Sequence, residues 1–289
     1  MSRIGAFAGQ GRETLDGIRR EITMTRQEAA RHRPAPPETG LVLDVGSGPA
    51  ADARADVLVD QDVFDVADRA TPGAATDPRP LVVADPERLP FAAGAFAYVL
   101  AVDVLTTVRD PGAAAAELGR VAPAGFVQVP SRASGLVFGG AVDRWLVDLH
   151  GDDLVFATKE GEPAGAPDAR AAYDESLAVR IGWAAHRSRW QHTVEWTGAP
   201  SVRVDGTPGP SAAPAFDVER TVAHLEDENR RGRLAFMPPG VLELLRCPAS
   251  HGTLRRRGRW LDCEESALSY PVVGPVPLLL AAAARPAGV

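Results

Sequence analysis

Lysine is nearly missing from this sequence. Lys159 is the only one among 31 basic residues, and arginine supplies the rest. Together with abundant alanine, this reads as a coding bias and not as a functional signal. Cysteine is scarce as well: Cys247 and Cys263 are the only two in 289 residues, too few for a disulfide framework. No stretch approaches the ~20 uninterrupted apolar residues that a membrane-spanning helix needs, and the first residues lack the apolar core of a signal peptide. Membrane partners are therefore not expected, and the cytoplasm is the expected location. A basic excess is missing too. Acidic residues number 38 and the formal net charge is −7. A surface that grips nucleic acid is normally basic, so nucleic acid is not an expected partner.

What is present is a globular composition, 45% hydrophobic and 24% charged, in a chain long enough for one medium domain and a smaller one. The chain is organised around Leu41-Val-Leu-Asp-Val-Gly-Ser-Gly-Pro49. A continuous apolar run closed by glycine fits a central strand of a parallel sheet, covered on both faces. Gly46 and Gly48 allow a sharp turn and a close approach of ligand to backbone. In such sheets ligands sit beyond the carboxyl ends of the strands. Asp44 narrows the choice of ligand. A carboxylate repels phosphate and attracts a cation that carries an amino group; S-adenosylmethionine, with its sulfonium and ammonium, is of that kind. A dinucleotide-binding turn or a plain strand–turn unit matches the same short glycine pattern.

Two more strands end in acids. Only Pro49–Ala55 separates the first strand from Asp56–Asp60. A parallel crossover normally needs about a dozen residues or more, so the first crossover helix is expected to shrink to about a turn. Asp60, with Gln61 beside it and Asp62 as a competing loop acid, is placed to accept two ribose hydroxyls. Leu81–Asp85 reads as a third strand and Tyr98–Val102 as a fourth. Asp103 then serves either as a base or as a cap for the next helix. Gly112–Val121 reads as a helix and Gly125–Ser131 as a fifth strand. Residues 11–32 carry Leu15, Ile18 and Ile22 at helical spacing. Residues 160–178 read as a Gly/Ala/Pro-rich loop. Gln191–Trp196 alternates like an antiparallel strand. It lies in a segment with Trp183, His186, Trp190 and His192, which either lines a substrate pocket or buries its tryptophans in the core. A linker over Gly206–Pro214 leads to a charged helix over Val218–Arg231.

Asp44-x-Gly-x-Gly48, the acids at 60 and 85, and Asp85-x-x-x-Leu-Pro-Phe91 before Ala95-Phe96 together resemble the class I S-adenosylmethionine-dependent methyltransferases of small-molecule type. Pro49-Ala50 replaces that family's third glycine. The resemblance implies an α/β, Rossmann-like, doubly wound and mostly parallel sheet. It implies S-adenosylmethionine as cofactor, S-adenosylhomocysteine as product, and a small-molecule acceptor such as a natural-product or glycan intermediate. Asp44, Gly46, Ser47 and Gly48 are then expected on the methionine part. Asp60 and Gln61 belong on the ribose, Asp85, Pro86 and Leu89 on the adenine, and Val102 on the pocket wall. Further on, Leu105, Val108, Asp110 and Pro111 follow the family pattern, while Asp103, Thr106 and Thr107 replace its His and Glu, which removes an inherited base. Pro130-Ser131, Arg144-Trp145 and Leu154-Val-Phe156 resemble one subgroup, with Asp143 in place of its His. Arg144 and His150 are therefore expected near the substrate side of the sheet's carboxyl edge, and Asp103, Arg144 and His150 are the candidates for catalysis. The losses leave a competing reading, a non-catalytic cofactor-binding or scaffold protein.

Met237-Pro-Pro-Gly240 marks a boundary between residues 1–236 and 237–289. Beyond it, Leu244-Leu-Arg-Cys-Pro248, Gly252-Thr-Leu254, Leu261-Asp-Cys263, Tyr270-Pro-Val272 and Pro277-Leu-Leu279 fall in order. They resemble the small zinc-ribbon-like activator family of tRNA and release-factor methyltransferases. That resemblance implies a small α+β domain, covered in cis by the methyltransferase domain, with fusion replacing association. It also motivates a third reading, methylation of a translation-related macromolecule. Some relatives bind zinc through four thiolates. Here Ser250 takes the second cysteine position, only Cys263 remains in the second half, and His251 is the one near substitute. Two thiolates do not close a four-coordinate site. Zinc is not expected, and the cysteines are expected to serve as buried apolar fillers. A homodimer is compatible with this organisation.

Overall fold

The apolar runs that end in Gly or Asp become the centre of one large sheet. The computed structural model describes residues 35–48, 51–64, 77–139, 142–160, 186–211 and 215–288, with positions 176, 179 and 182. The helix expected over 11–32, the Pro49-Ala50 pair, most of the loop over 160–178 and Trp183 lie outside the described residues.

Strands β1 (Val42–Val45), β2 (Val57–Asp60), β3 (Leu81–Ala84), β4 (Tyr98–Val102) and β5 (Ala124–Pro130) pair in parallel, in the order β3-β2-β1-β4-β5. Their apolar residues, many with β-branched side chains, suit strands buried on both faces. The register sets Val45 beside Val59 and Ala101, so the carboxyl ends of β1, β2 and β4 open on one edge. Strand β8 (Gln191–Thr197) adds antiparallel to β5, as the alternation of Gln191–Trp196 predicts.

Helix α1 (Pro111–Val121) starts with proline at its first turn, where no amide donor is needed. Asp110 caps it by accepting the Ala113 N–H at 2.9 Å. Ala114, Leu118 and Val121 face the core at helical spacing. Asp110, not Asp103, is therefore the cap of this helix. After the short α2 (Arg132–Phe138), β6 (Trp145–His150) and β7 (Asp153–Thr158) form a hairpin. With β9 (Val202–Asp205) the hairpin makes a separate three-stranded sheet. Helix α3 (Arg187–Trp190) leads into β8. Helix α4 (Val218–Arg230), capped by Asp217, presses Leu225 onto Leu58, Val83 and Leu278.

The tail begins with α5 (Pro239–Leu244), followed by β10 (Leu254–Arg257), β11 (Trp260–Cys263), β12 (Leu268–Val273), β13 (Val276–Leu279) and the short β14 (Arg285–Pro286). The β12–β13 link is two residues, Gly274-Pro275, with φ +59° at Gly274. Positive φ at the first loop position is the type II′ pattern of tight hairpins. Strand β13 then lies parallel to β3, with Leu278 beside Val83 and Leu279 beside Ala84. The tail thus extends the central sheet, which reaches 11 strands. A second seam runs between residues 244–246 and 90–92. The Ala92 N–H donates to the Leu244 carbonyl, and the Arg246 N–H to the Pro90 carbonyl, each at 2.8 Å.

Candidate functional site

The carboxyl edge of β3-β2-β1-β4 gathers the acids that the sequence singles out. Between β1 and β2 the described residues hold no α-helix: Gly48 has 3-10 geometry and a turn follows at residues 53–54. This short crossover is pinned from outside. The Arg79 guanidinium, itself paired with Asp77 at 2.7 Å, donates to the carbonyls of Asp52 and Ala55. From inside, the Asp52 N–H donates to Asp44 Oδ2 at 2.8 Å.

At the end of β1 the chain turns at Gly46, with φ +70°. Its N–H and that of Ser47 both donate to the Val59 carbonyl, at 2.9 and 3.2 Å. A Cβ at Gly46 would sit 2.7 Å from the Val104 side chain, so glycine is required by space as well as by backbone angle. Gly48, at φ +54°, donates its N–H to Asp60 Oδ2 at 2.6 Å. The turn after β1 and the acid ending β2 are thus one hydrogen-bonded unit.

Burial raises Asp44 from 3.8 to about 6, and the nearby carboxylates of Asp52 and Asp60 push the same way. Asp60 is also raised to about 6 by burial, although the N–H groups of Asp62, Gly48 and Gln61 favour its charged form. Two such acids, close enough to feel one another, suit a ligand that brings positive charge and hydroxyl donors. The Ser47 hydroxyl is buried with no partner, which leaves a donor for a carboxylate. Sulfonium, ammonium, carboxylate and ribose diol therefore all find complementary groups, and S-adenosylmethionine fits this edge.

Asp85, just beyond β3, accepts the Glu87 N–H at 2.9 Å. Glu87 in turn accepts the N–H groups of Arg109 and Asp110, tying this turn to the start of α1. Pro86 and Leu89 are buried beside it, Gln61 is exposed, and Val102 is half-buried at the end of β4. The Arg120 guanidinium on α1 donates to the carbonyls of Leu89 and Phe91, both at 2.7 Å, and so fixes the Leu-Pro-Phe loop.

On the acceptor side, Asp103 is exposed at the end of β4 and held at φ +56°, a left-handed conformation rare for a residue with a side chain. Its N–H donates to the Gln128 carbonyl at 2.8 Å. Arg144 reaches this edge but spends its guanidinium on the carbonyls of Thr107 and Gly209, each at 3.2 Å. Together with the Trp145 Nε1 donor to the Val108 carbonyl at 2.9 Å, it braces the loop after β4. Asp143 accepts the Thr106 hydroxyl at 2.6 Å in the same brace.

His150 is placed differently from its expected position. It is exposed at the β6–β7 turn, at the opposite end of β6 from Arg144. The next residues approach Ser201, whose carbonyl accepts the Leu154 N–H at 3.0 Å. That segment follows Thr197, which faces Ala124 at the amino end of β5. The hairpin turn carries His150 away from the acid row. Among the described residues, His192 lies beside Val129 near the carboxyl end of β5. Burial holds it below its usual value, against the Val147 carbonyl and the Asp148 carboxylate, which pull it up. Asp148 is paired with Arg132 at 2.7 Å.

Residues 43–127 match the family model described as "Methyltransferase domain". Over 45 residues, 16% of the chain, the sequence is 44% identical to a UPF0434 protein of Vesicomyosocius okutanii subsp. Calyptogena okutanii and covers 76% of that protein. Among solved structures, a SAM-dependent methyltransferase from Thermotoga maritima is 19% identical with a TM-score of 0.31, over 43% of this chain and 58% of that one. The present chain thus spans less than two thirds of the Thermotoga protein. A complex of the Haloferax volcanii Trm112 methyltransferase activator with a methyltransferase is 16% identical with a TM-score of 0.35, over 70% of this chain and 99% of that one.

Proposed function

We propose that this chain, whose residues 43–127 match a methyltransferase domain and which belongs over a 45-residue segment to the UPF0434 protein family, transfers a methyl group from S-adenosylmethionine to a small-molecule acceptor. The acceptor docks at the carboxyl edge beside β4, β5 and β8. The observation that carries this reading is the run of acids at the ends of three adjacent parallel strands, Asp44, Asp60 and Asp85, joined by the Gly48-to-Asp60 hydrogen bond.

Bound at this edge, S-adenosylmethionine supplies a methyl group activated on a sulfonium. The chain's own work is to hold, orient and exclude water. Asp44 and the turn over 46–48 hold the methionine part. Asp60 and Gln61 take the ribose. Asp85, Pro86 and Leu89 bound the adenine, and Val102 closes the wall. Asp103, at the end of β4, stands where a proton from the acceptor can be taken up, and Arg144 keeps its loop in place. The acidic net charge of −7 supports a small acceptor over a polyanion.

The same reading assigns residues 1–236 to the methyltransferase domain and 237–289 to an activator-like tail, and it places the UPF0434-like segment in that tail. The tail acts in cis, and the β3–β13 pairing supports this. Calorimetric titration of S-adenosylmethionine into wild type and Asp60→Ala tests the site. Loss of a hydrogen-bonding carboxylate should cost about 1.5–3 kcal/mol, or roughly 10- to 150-fold in affinity. Unchanged affinity removes Asp60 from the site.

A further inference from the structure

The tail's two cysteines sit in a closed arrangement that includes two serines. Cys247 opens a turn that ends at Ser250, and Cys263 ends β11 and opens a turn that contains Ser266. Each turn therefore reads Cys-x-x-Ser. The pairs meet crosswise: Cys247 Sγ lies 3.3 Å from Ser266 Oγ, and Ser250 Oγ lies 3.5 Å from Cys263 Sγ. The Tyr270 hydroxyl closes the group at 3.4 Å from Cys247 Sγ. Both sulfurs belong to fully buried residues. His251, the near substitute, is exposed, and its N–H turns back to the Cys247 carbonyl at 2.7 Å.

Two side-chain pairs, each spaced by two residues and carried on separate turns, are the frame of a four-coordinate structural zinc site. The donor set does not fit the metal. Neutral serine hydroxyls are not among its usual protein ligands, and two thiolates leave half the coordination sphere open. The hydroxyls suit a different task. A hydroxyl both donates and accepts, whereas a thiol does each weakly, so each Cys–Ser contact gives a buried sulfur a polar partner, from half-buried Ser266 on one side and exposed Ser250 on the other. Burial alone would raise the Cys247 thiol; the hydroxyls of Ser266, Tyr270 and Ser250 pull it down to about 7. The cysteines are thus more than apolar fillers.

We propose that this quartet is a metal-site frame with two ligand positions exchanged for hydroxyls, so that crossed thiol–hydroxyl pairs lock the tail without any metal. The lock sits at the base of the strands that lead to β13. Docking of the tail on β3 is therefore independent of metal supply. The inference rests on the tail's geometry and does not depend on the methyl acceptor.

The test uses the full chain, prepared under reducing conditions and titrated with cobalt(II). Wild type is expected to show no sulfur-to-cobalt charge-transfer band and no change of Tm with a chelator. Ser250→Cys/Ser266→Cys is expected to bind one cobalt per chain with the bands of a tetrahedral tetrathiolate, and its Tm should become sensitive to the chelator. Should the double variant fail to fold, Ser250→Cys and Ser266→Cys are titrated singly, each expected to give a weaker three-thiolate site. Ser266→Ala reads the lock directly and is expected to lower Tm with no gain of metal response. Cobalt binding by wild type, absence of a thiolate–cobalt spectrum in the cysteine variants, or an unchanged Tm in Ser266→Ala overturns the proposal.

Discussion

At neutral pH Asp44 holds its charge with 3% of its surface exposed, and burial has pushed its carboxyl up to about 6. The unfolded chain keeps the same charge in water. Against a reference of 3.8, the folded, ligand-free state is therefore disfavoured by on the order of 3 kcal/mol at neutral pH. The sign follows from proton binding. Between the unfolded and folded values the native state holds more protons than the unfolded one, so stability from this group falls as pH rises through that window. Asp44→Asn keeps an oxygen for the Asp52 N–H and removes the charge. Without ligand it is expected to be ~1–3 kcal/mol more stable than wild type near pH 7.5 and no more stable near pH 4. Urea denaturation at the two pH values checks this. The same variant should bind S-adenosylmethionine more weakly, because the unfavourable carboxylate is the one a cationic ligand compensates. Lower stability at both pH values would show that the charge is already compensated by the fold.

Strand β13 shows what one element does for another. Leu278 is fully buried, lies beside Val83 and packs under Leu225 of α4. With the 244–246 seam, it holds both strand β3 and the Leu-Pro-Phe loop that follows Asp85. Leu278→Asp places an unpaired charge at this joint, and a loss of ~3 kcal/mol or more is expected. Thermal melting should show it, and calorimetry should show weaker cofactor binding although residue 278 lies outside the site. An unchanged Tm would mean that the joint is not structural. The elements themselves were largely legible. β1 to β4 announce themselves by apolar runs closed by Gly or Asp, β5 by its apolar run before Pro130-Ser131, α1 by its alanine-rich run, and β8 by its alternation. The short crossover followed from chain length alone. Partners were less legible, because pairing joins residues far apart in sequence. Nothing local in Val276–Leu279 says that it lies against Leu81–Ala84. The hairpin at His150 has a local signal: Gly151-Asp152 is a turn dipeptide, and Gly151 has φ +65°. That turn sets Arg144 and His150 at opposite ends of β6. Ser266 was missed for a related reason, since a Cys-x-x-Ser spacing carries meaning only once its counterpart at 247 and 250 is seen beside it.

Across the whole molecule, the sheet runs from the tail hairpin through β13 and β3 to β8 with no break in pairing. Its tail-side edge, β10, carries exposed Arg255, Arg256 and Arg257, and charge along an edge strand discourages another chain from adding to it. Growth of the sheet is therefore directed inward, from tail to catalytic module, within one chain. Two modules joined only by a linker would melt separately. Modules that share buried strands, with Leu278 and Val83 in one core, should melt together, because loss of β13 exposes the edge of β3 and frees the loop at 90–92. Differential scanning calorimetry is expected to give one transition with matching calorimetric and van't Hoff enthalpies. S-adenosylmethionine at about 100 times its Kd should raise the stability of that single transition by roughly 2.7 kcal/mol. The proposed site lies wholly within residues 1–236, so the tail is expected to share the shift only through the sheet. A separate transition that the ligand leaves in place would show that the tail folds on its own and is merely carried along.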